Sequence, residues 1–264
     1  MNKLTAALVL STTALLAACG KGDDAPQASA QPAAVPAKVV VGLDDNFPPM
    51  GFRDEKNQLV GFDIDMAREA AQRMGIEVEF KAIDWSAKEA ELNSKRVDAL
   101  WNGLTITEER KKNIAFTAPY MENHQIIVVA QASSIQAKAE LAGHVVGAQE
   151  GSSAVDAIKK EAELAASLKS LKTFGDNVTA LVDLSAGRLD AVVVDEVVGR
   201  YLVAKRPADY RVLSDNFGTE DYGVGTRKED TELLARIDGA LADMKKDGSA
   251  ARIATQWFGA DIIK

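Results

Sequence analysis

The chain contains one cysteine, Cys19, in 264 residues, so no disulfide can form within it and its fold must be held by its own core. Its two histidines, His124 and His144, have neither metal-ligand spacing nor a cysteine nearby, and no metal centre is read from them. There is no phosphate-binding P-loop, no dinucleotide fingerprint and no Ser–His–Asp set that can be placed, so no cofactor is expected. Basic residues form no stripe. The formal charge of -8 is spread along the chain, which excludes nucleic acid as a partner and serves solubility. Beyond the first twenty residues no apolar run is long enough to cross a bilayer.

What is present begins with Lys3, a short apolar run from Leu4 to Leu16, and then Ala17-Ala18-Cys19-Gly20. A basic start, a short apolar stretch and small residues describe a secretory signal rather than a membrane span. Leu16-Ala17-Ala18-Cys19 also resembles a bacterial lipobox, which implies cleavage before Cys19 and lipidation there. The alternative is a plain signal that happens to contain a cysteine. Several acyl chains would anchor the protein firmly to a membrane. Residues 1–18 are expected as the signal peptide. Residues 19–37, rich in Ala, Pro, Gln and Ser, have too few large apolar side chains to fold and read as a flexible tether.

The body alternates apolar strand runs with helical patterns, which argues for an α/β fold with mostly parallel sheets. Val39-Val40-Val41 is a buried strand ending at Gly42, followed by a loop through Asp44, Phe47 and the adjacent Pro48-Pro49. Asp63 reads as an N-cap, and Ile64, Ala67, Ala70, Ala71 and Met74 recur at helical spacing before Gly75. Further strands are expected at Glu77–Phe80, Val97–Trp101, Ile126–Ala130, His144–Gln149 and Leu189–Val194. Helices are expected over about 154–166 and 231–246, with a shorter one ending at Trp257-Phe258-Gly259.

The stretch from Val97 to Arg110 concentrates the chemistry. After the strand, Asn102-Gly103 breaks the pattern, and Thr107 reads as the cap of a helical turn. Gly103 admits close backbone approach, Asn102 and Thr105 supply hydrogen-bonding groups, and the planar fork of Arg110 matches a carboxylate. Pairing of Arg110 with Glu109 is the plainer alternative. Ser152 and Ser153 open a helix after another strand, where backbone N–H groups attract anions, although simple N-capping explains them equally. Asp195 ends a strand and serves either as a cap or as a partner for an ammonium. Phe47 reads as a core plug or as an aromatic wall, and Trp85 as a partly buried cap on the helix that follows it or as a ligand contact.

An internal echo organises these residues. Leu92-Asn93-Ser94-Lys95-Arg96-Val97-Asp98-Ala99-Leu100 resembles Leu184-Ser185-Ala186-Gly187-Arg188-Leu189-Asp190-Ala191-Val192, and Val40-Val41-Gly42 is echoed by Val145-Val146-Gly147. Two similar α/β lobes follow. Ligands of open α/β sheets bind beyond the carboxyl ends of strands, and each candidate group after a strand falls there.

At this point the chain resembles the polar amino-acid substrate-binding proteins of bacterial ABC importers (solute-binding protein family 3). The resemblance rests on Val41 to Pro49, Leu59 to Asp65, Gly103 to Arg110, Val146 to Ser153, Gly187 to Ala191 and Trp257-Phe258-Gly259. It implies a two-lobed periplasmic-binding-protein-like fold of type II with two crossover strands as a hinge. Lobe 1 would comprise residues 38–127 and 220–264, and lobe 2 residues 128–219. It also implies a monomer that takes a free L-amino acid and passes it to an importer permease, with no catalytic residue. Arg110 would pair with the ligand α-carboxylate, and Thr105, Ser152 and Ser153 would bond its main-chain atoms. Asn102 and Gly103 would pass beneath it, Asp195 would receive the ammonium, Phe47 and Trp85 would flank the side chain, and Asp44 would touch its end. A cyclohexadienyl-dehydratase-like enzyme and a ligand sensor for a membrane receptor are the other readings this fold allows.

Overall fold

The structure is a computed structural model that describes residues 36–264. Cys19, the signal segment and nearly all of the tether expected at 19–37 lie outside the described residues. The described chain opens with β1 (Lys38–Leu43). A small antiparallel sheet follows from β2 (Asn46–Phe47), β3 (Gly51–Arg53) and β4 (Leu59–Val60). Then come α1 (Phe62–Met74), β5 (Glu77–Ala82), α2 (Lys88–Asn93), β6 (Ala99–Leu100), β7 (Ile114–Phe116) and β8 (Met121–Ala130). The second half runs β9 (Val145–Gln149), α3 (Ser153–Lys160), α4 (Ala162–Ser167), β10 (Ser170–Phe174), α5 (Asn177–Ser185), β11 (Ala191–Asp195) and α6 (Glu196–Lys205). It ends with β12 (Tyr210–Tyr222), β13 (Gly225–Arg227), α7 (Thr231–Lys246) and α8 (Ser249–Phe258).

These strands form two five-stranded sheets, ordered β5-β1-β6-β13-β7 and β10-β9-β11-β8-β12. In each, the first three strands pair in parallel, and the strand in fourth place is antiparallel to both neighbours. Four of the five strands in a sheet therefore share one direction, as a mostly parallel fold requires. The reversed strand follows a passage between the sheets in both cases: β8 after the first sheet's β7, and β13 after β12 of the second sheet. The long antiparallel pair β8·β12 carries both passages side by side, pairing from Ala130↔Tyr210 to Met121↔Tyr222. The expected lobe boundaries at 127/128 and 219/220 fall inside these two strands.

Helices cover both faces of each sheet. In the first lobe, α1, α7 and α8 pack together on one face and α2 covers the other. In the second, α5 and α6 contribute Leu181, Leu184 and Val198 to one face, while Ala154, Val155 and Ile158 of α3 bury against the other. The first of these cores is continuous between the lobes through Tyr120, Met121, Ile126 and Tyr222.

Local differences from the pattern have identifiable causes. α1 ends as read, at Gly75 with φ 68°, but its N-cap is Gly61, and Asp63 lies buried in its first turn. The strand after Val97 is only Ala99–Leu100, because the chain turns at Gly103 (φ 58°). Thr107 caps a helical turn as read, its hydroxyl accepting from the Arg110 amide at 3.1 Å and its carbonyl from the Lys111 amide at 2.9 Å, and the turn is a single 3-10 one, Arg110–Lys112. The helix expected through about 166 breaks at Glu161 into α3 and α4.

Candidate functional site

The site is assembled on a loop that the first lobe holds from below. The Asp63 carboxylate accepts the Gly103 amide at 2.7 Å and the Tyr120 hydroxyl at 3.0 Å. A side chain at Gly103 would meet Phe47 at 3.0 Å and Tyr222 at 3.1 Å, so both its dihedral and its neighbours demand glycine. Asn102, 1% exposed, accepts the Asp44 amide at 3.1 Å through its oxygen, while its Nδ2 has no partner among the described residues. Burial pushes the Asp63 carboxyl up to about 7 despite its donors.

Arg110 is buried at the junction of the lobes, and it does not pair with Glu109, which bonds Lys112. Its Nη1 donates to the Thr105 carbonyl at 2.9 Å, and its Nη2 reaches across to the Gly151 carbonyl of the second lobe at 3.0 Å. Burial pulls its ionisation down, and nearby Glu220, Asp156 and Asp195 oppose that. Lys88, which no motif singled out, donates to the same Gly151 oxygen at 2.7 Å and to the Trp85 carbonyl at 3.2 Å, with its ammonium 5.3 Å from the Trp85 ring centre. Burial and then the Arg110 charge push Lys88 down to about 7. Two cations of the first lobe thus converge on one carbonyl of the second.

Opposite them stands the second lobe. Ser153 Oγ lies 3.0 Å from Thr105 Oγ1, a direct bridge between lobes. Ser152 sits at the N-cap of α3 without a side-chain capping bond and turns its hydroxyl back to the Gln149 carbonyl at 2.7 Å. Asp195 likewise occupies a cap position without capping by its side chain. Its Oδ1 accepts from Asn123 at 2.9 Å, Gln125 at 2.8 Å and Tyr222 at 2.6 Å. At the far end, Asp44 Oδ2 accepts from Gln149 of the second lobe at 2.7 Å, and Gln149 is braced by Asn177 at 3.0 Å. Burial pushes the Asp44 carboxyl up to about 6, and no cation bonds it among the described residues. Phe47 and Trp85 are both buried.

Arg110, Thr105, Ser153 and Asp195 are thus joined by one chain of hydrogen bonds passing through Gln125, which reaches Ser153 at 3.2 Å. A cavity of about 1430 Å³ opens beside it between the lobes. Of the sequence-predicted residues only Thr105 and Ser153 line that cavity, next to Gln125 and Glu220. Asp44, Phe47, Trp85, Asn102, Gly103, Arg110, Ser152 and Asp195 do not line it. Asn123, Gln125, Glu220 and Lys88 were missed. Asn123 and Gln125 had a readable signal: two polar residues at alternate positions of a strand, on one face, just before an apolar run.

The two histidines are satisfied locally, His124 by Glu196 at 2.8 Å and His144 by Asp190 at 3.3 Å. Among the described residues no helix is long and apolar enough to cross a membrane, and no cluster of ligating side chains suits a metal.

Comparison with known proteins agrees with this geometry. Residues 39–260 match the family described as bacterial extracellular solute-binding proteins, family 3. The L-cystine-binding protein TcyJ of Escherichia coli (strain K12) is 31% identical over 228 residues, covering 86% of this chain and 84% of that one. A substrate-binding protein of an ABC uptake transporter from Streptococcus pneumoniae, solved with bound histidine, superposes with a TM-score of 0.83 at 35% identity, covering 86% of this chain and 95% of that one. An ancestral arginine-binding protein bound to arginine superposes at 0.80 with 41% identity, over 85% and 99% of the two chains. The two-lobed fold is therefore shared with ligand-bound amino-acid receptors.

Proposed function

The chain belongs to family 3 of the bacterial extracellular solute-binding proteins, and on that premise we propose that it is an extracytoplasmic receptor that binds a polar L-amino acid between its lobes and delivers it to an ABC importer. The observation that carries this reading is the meeting of Arg110 from one lobe with Asp195 from the other through the Thr105–Ser153 bridge. A zwitterion taken out of water needs both charges paired, because an unpaired buried charge is very costly. Arg110 supplies the cation for the carboxylate and Asp195 the anion for the ammonium. Asn102 Nδ2, a buried donor without a partner, suits a carboxylate oxygen. Phe47 and Trp85 shield the side chain, and Ser152 and Gly103 shape the backbone around it.

Relatives are named as binding proteins, for cystine and arginine, or are solved with histidine bound. That agreement sets aside the dehydratase reading. The acidic surplus of the site, with buried Asp44 lacking a cation, favours a cationic side chain. The hinge is the β8·β12 pair, so that residues 38–127 with 220–264 move against residues 128–219. The protein acts as a monomer. Cys19 is lipidated, after removal of residues 1–18, and holds it to the membrane through the 19–37 tether. Support for the anchor is the Leu16-Ala17-Ala18-Cys19 motif.

A thermal-shift screen of the twenty common L-amino acids with L-cystine and L-ornithine tests the reading, since a ligand raises the melting temperature by mass action. At least one, with a cationic side chain foremost, should stabilise the protein. Arg110→Ala should then weaken that ligand by about 3–5 kcal/mol in titration calorimetry. A screen without any stabilising amino acid would remove the function, and an unweakened Arg110→Ala would remove the carboxylate assignment.

A further inference from the structure

Glu220, on β12, is half-buried and lies where no sequence motif directed attention. Its Oε1 accepts from the Thr105 hydroxyl at 2.8 Å, the Ser153 hydroxyl at 3.1 Å, Asn123 Nδ2 at 2.8 Å and Gln125 Nε2 at 2.8 Å. The last two donors are the same amides that hold Asp195 Oδ1, at 2.9 and 2.8 Å. Two carboxylate oxygens therefore share one pair of amide nitrogens. Carboxylates so placed repel when both are charged, and the arrangement is stable with one proton between them or with a cation beside them.

The cluster also lacks a donor. Gln125 is 1% exposed and spends its nitrogen on Ser153, Asp195 and Glu220, while its Oε1 has no partner among the described residues. A buried acceptor left in this state costs about 1–3 kcal/mol, so a donor belongs there. An ammonium group offers three N–H bonds, and the acceptors at this point are the Asp195 and Glu220 carboxylates and the unpartnered Gln125 Oε1.

We propose that Glu220 is a second acceptor for the ligand ammonium, paired with Asp195, and that Asp195 carries a proton in the unliganded protein and releases it to the solvent when the ammonium enters. The inference rests on the amino-acid receptor reading given above. The groups facing the pair fit it. Tyr222 on β12 donates to Asp195 and keeps its own proton, because burial and the adjacent carboxylate push its ionisation well above the ordinary tyrosine value. Arg110 gives its guanidinium to two carbonyls, and the charge of Asp156 on α3 is felt there too. Lys88 is tied to Gly151 and Trp85. Glu196, at the start of α6, is bonded by His124 on β8 and by Arg200, and Asp221 is paired with Lys264. Burial first and the Glu220 charge second push Asp195 up to about 7, so its proton is present near neutrality.

The test is titration calorimetry of the full chain in phosphate, imidazole and Tris, whose ionisation enthalpies differ, which counts protons released per ligand. The probe is the amino acid of the common twenty, or L-cystine, that most raises the melting temperature; the imidazole's own titration is subtracted if that is histidine. About half a proton should be released at pH 7, approaching one at pH 6 and falling to about a tenth at pH 8, below the range in which the ligand's own amino group titrates. Asp44 also titrates near this range, so Asp44→Asn and Glu220→Gln are compared. Release by the pair should survive Asp44→Asn. It should fall in Glu220→Gln, where burial alone is left to raise Asp195, with affinity about tenfold weaker. If Glu220→Gln does not fold, Glu220→Asp, whose shorter side chain withdraws the carboxylate from Asp195 and the shared amides, is measured in its place with the same outcomes. Binding without release at pH 6 to 7, or release and affinity unchanged in Glu220→Gln, would overturn the inference while leaving the receptor reading intact. Failure of every amino acid to bind would remove both.

Discussion

The first lobe makes the turn before its third strand with Lys95 at φ 61°, the second with Gly187 at φ 71°. Around these turns the lobes repeat one another bond for bond. Val40 N donates to Asp98 Oδ2 at 2.9 Å, and Val145 N donates to Asp190 Oδ2 at 2.7 Å. Asp98 N returns to the Val40 carbonyl at 2.7 Å, and Asp190 N to the Val145 carbonyl at 2.9 Å. A side chain at Gly42 would strike Val97 at 3.1 Å, and one at Gly147 would strike the equivalent Leu189 at 2.5 Å. The preceding helices anchor the turn through Leu92 and Leu184, both buried. The lobes part company where the third strand stops. β6 has two residues and gives way to the glycine loop that leads to Arg110, whereas β11 runs five residues and ends on Asp195. One scaffold, cut at two lengths, thus presents a cation on one side and an anion on the other.

The comparison can be broken in stages. Burial raises Asp44 to about 6 and Asp63 to about 7 in the first lobe, and raises Asp195, with help from Glu220, to about 7 in the second. A raised carboxyl binds its proton more tightly folded than unfolded, so its stabilisation is complete below about pH 4 and lost as pH rises through 6 to 7. Lys88, pushed down to about 7, acts oppositely: stability rises from pH 7 toward 10. Calorimetric melting should therefore fall by several degrees between pH 5 and 7 and then rise again toward pH 10. Asp63→Asn and Asp195→Asn should each flatten part of that fall, and an unchanged profile in both would sink the burial account.

Next in size are the paired aspartates. Asp98 also bonds the buried Arg227 at 2.9 Å, whereas Asp190 faces only half-exposed His144. Asp98→Ala should cost about 2–3 kcal/mol in denaturant unfolding and Asp190→Ala about 1 kcal/mol. Equal losses would mean that Arg227 is adequately held by Asp230 alone. The smallest effect is at the turns. Gly187→Ala should cost about 1 kcal/mol, since its φ disfavours any Cβ, and Lys95→Gly should gain a few tenths.

Regular elements were legible wherever local chemistry decides them. α7 occupies 231–246 as its apolar spacing indicates, and Gly75 and Gly259 end their helices in the left-handed conformation. The echo was legible because the turn, the strand and the aspartate recur at the same offsets. Asp63 was misassigned as a cap because a carboxylate at a helix start looks the same whether it bonds its own amides or, as here, those of Gly103. Lys88 and Glu220 were invisible for a different reason. Each is an ordinary charged residue on a short helix or a long strand, and only the meeting of the lobes buries the one and surrounds the other with donors. Charges placed by tertiary contact leave no local period to detect.

The central claim is that both ends of a zwitterion are neutralised, one by each side of the cleft. Titration calorimetry with the best-binding amino acid, its α-amide and its N-acetyl derivative addresses it directly. Removing either charge should weaken binding by at least a hundredfold, about 3 kcal/mol, with the side chain unchanged. A derivative that binds as tightly as its parent would contradict the account, because the end it lacks would then have no partner in the site.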